Sequence, residues 1–328
     1  MLKDFVRRAL LFSLPMVLGA CAFDVLLSRW LQRSPTHAQM EYPTWNAVLG
    51  GTVDAGLVVH GSSRAWVHFD PRLIEQGLSI PTYNLGVDGH NIAMQYARHQ
   101  LLLKYNAKPQ FIIHSVDMGT LQQQPELYNA DQFLPYMPWN ADIEEAARGY
   151  EGFTWYDHHL PLVRYYGRTD AIKAAVRMVV NPVPVTLGRA QGFRARNETW
   201  NQDFELAKRS MSYYEVRLDT RMCALFHRYL NECANNGIAV VLVYSPEYIE
   251  GQEFVRNRSV VIDKYKAYSL EHDIPFFDFS QDPISYRKEY FYNANHMNAQ
   301  GAELFTAKLV EQMKQWMAAR LLGAGSEE

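Results

Sequence analysis

The sequence predicts an α/β fold, a three-layer sandwich whose central parallel sheet is of the flavodoxin-like kind, with an aromatic-rich insertion and an N-terminal transmembrane helix. Short apolar runs bounded by turn residues alternate with longer stretches of helical periodicity, which is the pattern of βαβ units. One long stretch rich in aromatic residues interrupts this alternation, and an apolar segment near the N-terminus is long enough to cross a bilayer.

Composition indicates a folded globular protein. The chain has 328 residues, 48% of them apolar and 20% charged, and its 32 basic and 35 acidic side chains give a formal charge of -3 at pH 7. A chain of this size buries enough surface to fold without metal or disulfide support, and three cysteines are too few for a disulfide scaffold. The charge balance argues against a nucleic-acid-binding protein that neutralises phosphates.

The N-terminus predicts a membrane anchor. Residues 9–27 are apolar apart from Asp24 and follow three basic residues, which favour the cytoplasmic side of a bilayer. We therefore expect a single-pass protein of the cytoplasmic (inner) membrane, with residues 1–31 as the anchor and cytoplasmic tip and residues 32–328 as an extracytoplasmic α/β domain. Two alternatives stay open: a lipoprotein signal that leaves Cys21 lipidated, and a buried helix of a soluble protein.

Five apolar runs predict the buried strands of the sheet, and four periodic stretches predict helices between and after them. The strands are predicted at 56–60, 82–85, 111–116, 238–244 and 275–279, and the helices at 91–105, 213–235, 254–272 and 300–321. In such folds the ligand binds at the carboxyl ends of the strands. The alternation lapses over residues 119–210, which we interpret as an insertion that folds over the sheet edge. Its aromatic residues suit either stacking on sugar rings or packing as a satellite core.

Candidate chemistry adjoins three of these elements: it follows the first two strands and precedes the last helix. Gly61-Ser62-Ser63-Arg64 comes directly after the first strand, where glycine permits a sharp turn and a serine hydroxyl can project into the crevice. Gly86 follows the second strand, where its N–H could approach an oxyanion. His296 precedes the last helix and has Asn293 three residues before it. Because a serine hydroxyl needs an imidazole to activate it, and the imidazole needs an acceptor that fixes its tautomer, these residues predict a catalytic site.

The order of these blocks resembles the SGNH hydrolase superfamily, also called the GDSL-like esterases. Ser63 matches the nucleophile, Gly86 the glycine of the second block, and His296, with the following Asn298 and Gly301, the terminal block. The resemblance implies that Ser63 and Gly86 supply oxyanion N–H groups. Gly-Ser-Ser behind an N-terminal span is also similar to the membrane-anchored branch that acts on cell-envelope polymers, which includes the D-alanine transfer protein of teichoic acid and alginate acetyltransferases.

Two positions depart from that pattern. Asn293 stands where the family usually has aspartate, and in serine proteases the corresponding change costs about 10⁴ in turnover. Asp278 is an alternative carboxylate for His296. The third block, Gly-x-Asn-Asp in the family, here corresponds to His114-Ser115-Val116-Asp117, which lacks the asparagine that would complete the oxyanion hole.

The function we predict is that of a serine-dependent acyl esterase or O-acyltransferase acting on a cell-envelope glycan or lipid-linked carbohydrate. The alternative is a catalytically weakened accessory or binding protein in polysaccharide modification or export. Arg64 and Asp117 are candidate substrate contacts, although Arg64 could equally pair with an acid. No cofactor and no metal site are expected, and His158-His159 lacks ligand spacing. The expected partners are the acylated glycan, the membrane and, by the resemblance, an integral-membrane acyltransferase, with no nucleic acid.

Overall fold

A computed structural model describes residues 2–182, 184 and 188–324 of the chain. It consists of two compact units. The first unit comprises Met1–Asn46 and Pro125–Arg189, and the second comprises Ala47–Gln124 and Ala190–Glu328. The second unit contains the whole sheet and the candidate site.

The helices and strands are numbered in chain order. The helices in the described ranges are α1 (Leu2–Gln32), α2 (Glu41–Leu49), α3 (Ser63–His68), α4 (Pro71–Leu78), α5 (Ile92–Tyr105), α6 (Ala141–Ala147), α7 (Trp155–His159), α8 (Thr169–Val180), α9 (Asp203–Ser210), α10 (Thr220–Asn235), α11 (Ile249–Glu253), α12 (Arg258–Glu271) and α13 (Ala299–Ala324). The strands are β1 (Leu57–Gly61), β2 (Thr82–Asn84), β3 (Phe111–Ser115), β4 (Ala239–Tyr244), β5 (Phe276–Asp278), β6 (Phe291–Asn293) and β7 (His296–Met297).

Strands β1 to β5 form one parallel sheet in the order β2-β1-β3-β4-β5. This is the flavodoxin-like order, in which the chain reverses its direction of winding between β1 and β3 and leaves a crevice at their carboxyl ends. The sheet confirms the predicted α/β fold, and all five strands occur where the apolar runs predicted them. Strands β6 and β7 form a separate antiparallel hairpin just before α13.

Helices cover both faces of this sheet, which explains why its strands are apolar almost throughout. Helices α3, α4 and α13 pack together on one side, and α5 packs with α10 on the other. The core includes fully buried residues of β1, β3 and β4 together with aromatic side chains of α13 and the hairpin, among them Phe291 and Phe305. The sheet is therefore a rigid platform for the loops at its carboxyl edge.

The first unit is built around α1. Within the described residues, α1 is the one helix long and apolar enough to cross a membrane, and its side chains from Leu2 to Phe23 are nearly all exposed. Asp24 is buried. Its carboxylate accepts hydrogen bonds at 2.8 and 2.5 Å from the Arg164 guanidinium and at 2.6 Å from the Leu162 N–H. Ser28, one turn later, contacts the Tyr165 hydroxyl at 2.9 Å.

The structure divides the chain differently from the boundaries predicted at residues 31 and 32. Residues 125–189 of the predicted insertion group with the N-terminal helix, because Asp24 and Ser28 bind Arg164 and Tyr165. Only residues 119–124 and 190–210 of that insertion belong to the sheet-containing unit. Helix α1 also packs against α8, and apolar periodicity does not show which distant segments of a chain pack together.

Candidate active site

The nucleophile candidate, Ser63, is the first residue of α3, directly after β1 and its turn. Gly61 makes this turn possible. Its φ of +139° suits glycine, and a Cβ there would lie 2.6 Å from the Ser115 carbonyl oxygen of the neighbouring strand. Ser62 caps the helix by accepting a hydrogen bond from the Arg64 N–H at 3.3 Å. The turn thus places the Ser63 hydroxyl at the carboxyl edge of the sheet.

His296 reaches this hydroxyl from the far end of the chain. The distance from Ser63 Oγ to His296 Nε2 is 2.7 Å. The His296 ring is stacked on Tyr292 with ring centroids 5.4 Å apart, and it lies edge-on to His68 at 6.1 Å. The structure therefore brings together the two groups predicted to share a site, at a distance that permits direct proton transfer.

Asn293 fixes the protonation of that ring. Its Oδ1 accepts hydrogen bonds from the backbone N–H groups of Asn295 at 3.1 Å and His296 at 2.9 Å, and it lies 3.0 Å from His296 Nδ1. Because backbone N–H groups only donate, this side-chain atom must be the oxygen and not the nitrogen of the amide. Nδ1 then carries the proton, and Nε2 is left as the acceptor that faces Ser63.

A carboxylate stands behind Asn293 that the sequence did not reveal. Asn293 Nδ2 donates to Asp203 Oδ2 at 3.4 Å, and Asn201 Nδ2 donates to the same oxygen at 2.7 Å. Asp203 is the exposed first residue of α9, ninety residues before Asn293 in the chain. Asp278, the alternative carboxylate, accepts a hydrogen bond from the Ser280 N–H at 2.9 Å and does not serve His296. The observed chain of contacts is serine, histidine, asparagine, aspartate.

The environment weakens His296 as a base. Burial, followed by the positive charges of Arg64 and Arg196, lowers its pKa to about 3, and Asp203 acts in the opposite direction. His296 is therefore neutral and able to accept a proton over the whole physiological range. A pKa this far below 7 also gives it less driving force for proton transfer than a base matched to neutral pH.

Arg64 belongs to a buried polar network beneath the site. Its Nη1 lies 2.6 Å from Glu247 Oε1, its Nη2 donates to Ser245, and its guanidinium lies 4.5 Å from the centroid of the Tyr244 ring. Burial tends to lower the pKa of Arg64, but Glu247 and Tyr244 outweigh this effect and raise it. The structure thus shows Arg64 paired with an acid, which was one of its two predicted roles.

The same network holds in place the hairpin of β6 and β7, which contains His296. Ser245 Oγ contacts His68 Nδ1 at 2.8 Å, and His68 Nε2 accepts a hydrogen bond from the Met297 N–H at 3.0 Å. Burial and the charge of Arg64 keep the pKa of His68 well below its usual range, so that this ring is neutral. His68 therefore positions the residue that follows His296.

Asp117 joins the first and third blocks of the site. One carboxylate oxygen accepts a hydrogen bond from Ser62 Oγ, and the other accepts the N–H groups of Gly119 at 2.7 Å and Thr120 at 2.9 Å. Asp117 lines the cavity, yet both of its oxygens are occupied within the protein. Its observed role is to bridge the carboxyl ends of β1 and β3.

Gly86 requires a correction. It was predicted as an oxyanion donor, but its N–H donates to Asn84 Oδ1 at 2.9 Å. A glycine is needed here for a different reason, because a Cβ would lie 2.6 Å from the Trp66 backbone nitrogen. Gly86 allows the segment after β2 to pack against the start of α3. Asn91, at the end of the same segment, caps α5 by accepting the Ala93 N–H at 3.1 Å.

Ser63 and His296 open into a cavity of about 390 Å³. Its wall is rich in neutral amide and hydroxyl groups, contributed by Asn91, Gln122, Gln123, Gln124, Tyr214 and Asn295. Arg64 is the one cation among the described lining residues, and Glu247 neutralises it. The cavity therefore suits a neutral polar ligand better than a strongly anionic one.

A second cavity of about 510 Å³ adjoins the first and shares six lining residues with it, including Tyr214 and Val255. Its remaining wall contains the apolar side chains of Phe204, Ala207 and Met211 from the segment that begins with α9, and Phe254 after α11. The second cavity thus offers more apolar side chains than the first, and Asn295 of the hairpin loop lines both.

A cluster with metal-ligand spacing lies outside these cavities. The ligand atoms of His227, Glu271 and His272 are within 4.8 Å of one another, and His227 Nε2 lies 3.0 Å from Glu271 Oε1. His227 lies in the middle of α10, Glu271 is the last residue of α12 and His272 follows it, and none of them lines the catalytic cavity.

Comparisons with known proteins give the following similarities. No protein-family model matches the chain, and no curated protein does so. Among solved structures, it is similar to a protein of Bacteroides fragilis provisionally described as an acylhydrolase, with 12% identity, a TM-score of 0.35, and coverage of 78% of this chain and 86% of the other. It is also similar to a GDSL-like lipase of Bacteroides thetaiotaomicron, with 12% identity, a TM-score of 0.38, and coverage of 83% and 97%.

Proposed function

We propose that this chain is a serine esterase of the SGNH type that cleaves or transfers an acyl group on a carbohydrate. The observation that carries the proposal is the hydrogen-bonded series from Ser63 through His296 to Asn293, with Nε2 left free to accept the serine proton. The same arrangement of nucleophile, base and orienting acceptor underlies acyl transfer in other serine enzymes.

In this reaction Ser63 Oγ attacks the acyl carbonyl carbon while its proton passes to His296 Nε2. The Ser63 N–H lies in the first turn of α3, where backbone donors lack an intrahelical partner, and it remains the predicted donor to the oxyanion. His296 then returns the proton to the oxygen of the departing alcohol. Water, or a sugar hydroxyl in its place, then attacks the carbonyl carbon of the acyl-serine and gives its proton to His296 Nε2. His296 returns that proton to Ser63 Oγ as the bond from this oxygen to the acyl carbon breaks, which releases the free acid or the acylated sugar and restores the serine.

The composition of the cavity supports a neutral carbohydrate as the alcohol part of the substrate. Amide side chains such as Gln123 and Asn295 can exchange hydrogen bonds with sugar hydroxyls, and the one cation of the described wall, Arg64, is already paired with Glu247. An exported glycan or lipid-linked carbohydrate, presented to a protein that α1 anchors in the cytoplasmic membrane, fits these features. An integral-membrane acyltransferase as the source of the acyl group is part of the same proposal.

A second candidate is a weakened enzyme that acts as an accessory or binding subunit in polysaccharide modification or export. Three features favour it: Asn293 carries no charge, the pKa of His296 is lowered to about 3, and the Gly86 N–H is occupied by Asn84. Each of these reduces the expected turnover, and none closes the cavity.

Labelling of the full-length chain with a biotinylated fluorophosphonate tests the proposal. We expect a covalent adduct on Ser63, located by mass spectrometry, with no label in Ser63→Ala and at least tenfold slower labelling in His296→Ala. Ser259→Ala, an exposed serine of α12, is the matched control and should label like the wild type. A folded wild-type chain that forms no Ser63 adduct would refute the esterase proposal and favour the accessory role.

A further inference from the structure

The first unit exposes a group of large apolar side chains that its fold does not bury. Trp139 is 77% exposed, Trp155 and Tyr156 are each 58% exposed, and Leu160 is 41% exposed. We call these four residues the interfacial cluster. Burying aromatic side chains is strongly favourable, so an exposed group of this size marks a surface that contacts something apolar.

The interfacial cluster lies beside α1, at one level of that helix. A small cavity of about 100 Å³ is lined by Cys21 and Val25 of α1 together with Trp139 and Leu160. Trp155 is stacked on His159, which lines the same cavity, with ring centroids 4.6 Å apart. Trp139 and Leu160 therefore lie beside the turn of α1 that contains Cys21 and Asp24, and Trp155 is linked to the same cavity through His159.

That turn is also where the exposed apolar part of α1 ends. Asp24 is the first buried charge of the helix and is bound by Arg164. Arg8 and Asp24 are sixteen residues apart, or about 24 Å at about 1.5 Å per residue, which is less than the roughly 30 Å of a bilayer's hydrocarbon core. A bilayer that contains this segment must therefore extend to the level of Asp24, and it meets the folded unit there.

We propose that the interfacial cluster inserts into the headgroup region of the membrane in which α1 is anchored. Tryptophan and tyrosine favour this region because their rings are apolar while their N–H and O–H groups remain hydrated. A spanning α1 and a lipidated Cys21 both bring the bilayer to this surface, since a lipid attached to Cys21 would lie at the same turn of the helix. The cluster acts as a second attachment and holds the first unit against the lipid. This proposal does not depend on the esterase function.

Fluorescence quenching tests this contact directly. The full-length chain is reconstituted in vesicles of phosphatidylcholine and phosphatidylglycerol that contain lipid brominated either near the headgroup end or near the methyl end of the acyl chain. We expect stronger quenching by the bromine near the headgroup, and at least a twofold smaller quenched amplitude in Trp139→Phe/Trp155→Phe. Trp200→Phe/Trp316→Phe removes two tryptophans of the second unit and is the matched control; its quenched amplitude should be unchanged.

A further variant keeps both reporter rings. Tyr156→Ser/Leu160→Ser removes half of the apolar cluster at exposed positions and should lower the quenching of Trp139 and Trp155 without loss of helical circular dichroism. Iodide in the aqueous phase should show the opposite change, because rings that leave the lipid become accessible to it. The proposal is overturned if shallow brominated lipid leaves wild-type fluorescence unquenched, or if Trp139→Phe/Trp155→Phe is quenched as much as the wild type.

Discussion

Replacing Asn293 by aspartate should raise activity, and the structure indicates by how much. In a serine protease the loss of the orienting aspartate costs about 10⁴ because the histidine adopts the wrong tautomer. Here two backbone N–H groups hold Oδ1 of Asn293 as an acceptor, so that the tautomer is already correct. What Asn293 lacks is only the negative charge that would stabilise the imidazolium.

The size of that missing effect follows from Coulomb's law. Two unit charges about 4 Å apart interact by about 4 kcal/mol at an effective dielectric constant of about 20, and by about 1 kcal/mol in bulk water. Because His296 is enclosed by the protein but keeps some exposure at the cavity, we expect a gain between these two limits, of about 2 to 3 kcal/mol, or about a hundredfold in kcat/KM. Asp203 opposes part of this gain, since it now accepts from Asn293 Nδ2 and would face a second carboxylate at 3.4 Å.

The double variant Asn293→Asp/Asp203→Asn removes this repulsion by exchanging the two side chains. We expect kcat/KM for p-nitrophenyl acetate to rise about tenfold in Asn293→Asp and about a hundredfold in the double variant, and to fall a fewfold in Asp203→Asn alone. The wild-type pKa of about 3 predicts activity that is lost only when the pH falls below about 4, because His296 must be neutral to accept the proton. In the double variant, the pH at which activity is lost on the acid side of the pH–rate profile should rise by about two units.

Two outcomes would contradict this reasoning. If both aspartate variants fold, as judged by circular dichroism, and neither is faster than the wild type, the absence of charge at position 293 does not limit the rate. If the rate rises but the pH at which activity is lost does not, the gain does not come from stabilisation of the imidazolium.

Three further predictions concern stability and substrate choice. Gly86→Ala should destabilise the fold by about 2 kcal/mol, measured by urea unfolding, because its Cβ meets the Trp66 nitrogen at 2.6 Å; an unchanged midpoint would contradict this. Burial lowers the pKa of His99 to about 4 and that of His114 to about 3, whereas unfolded histidine titrates near 6.5. Stability should therefore fall as the pH drops below about 6.5, by about 1.4 kcal/mol per unit for each histidine, and equal urea midpoints at pH 7 and pH 5 would refute this. Ala207→Phe narrows the apolar cavity and should lower kcat/KM for p-nitrophenyl octanoate about tenfold relative to the acetate; equal losses for both esters would contradict it.

The sheet was predictable because its signal is local. Each strand, from β1 to β5, is a short apolar run that ends at turn residues, and burial on both faces makes such a run continuous. The meeting of Ser63 with His296 was predictable from topology, because the carboxyl ends of parallel strands and the loop before the last helix meet at one edge.

The remaining parts of the site depend on contacts that no periodicity encodes. Asp203 lies on a short helix ninety residues before Asn293, and nothing in the sequence marks it as a partner. Gly86 matches the family motif, but its N–H donates to Asn84, two residues earlier. A glycine is required at this position by close packing against Trp66 and not by an oxyanion. The grouping of residues 125–189 with α1 was not predicted, because it depends on packing between α1 and α8 and on polar bonds to Asp24 that join segments far apart in the sequence.

In the membrane attachment proposed above, the ion pair between Asp24 and Arg164 would make α1 a rigid anchor. A flexible connection would let the first unit move away from the lipid. Here a guanidinium, a backbone N–H and a hydroxyl group bind the last turns of the helix inside that unit. The helix and the rest of the first unit must then tilt together as one rigid body. A thinner or thicker bilayer, which changes the inclination of a spanning helix, would swing the whole unit with it.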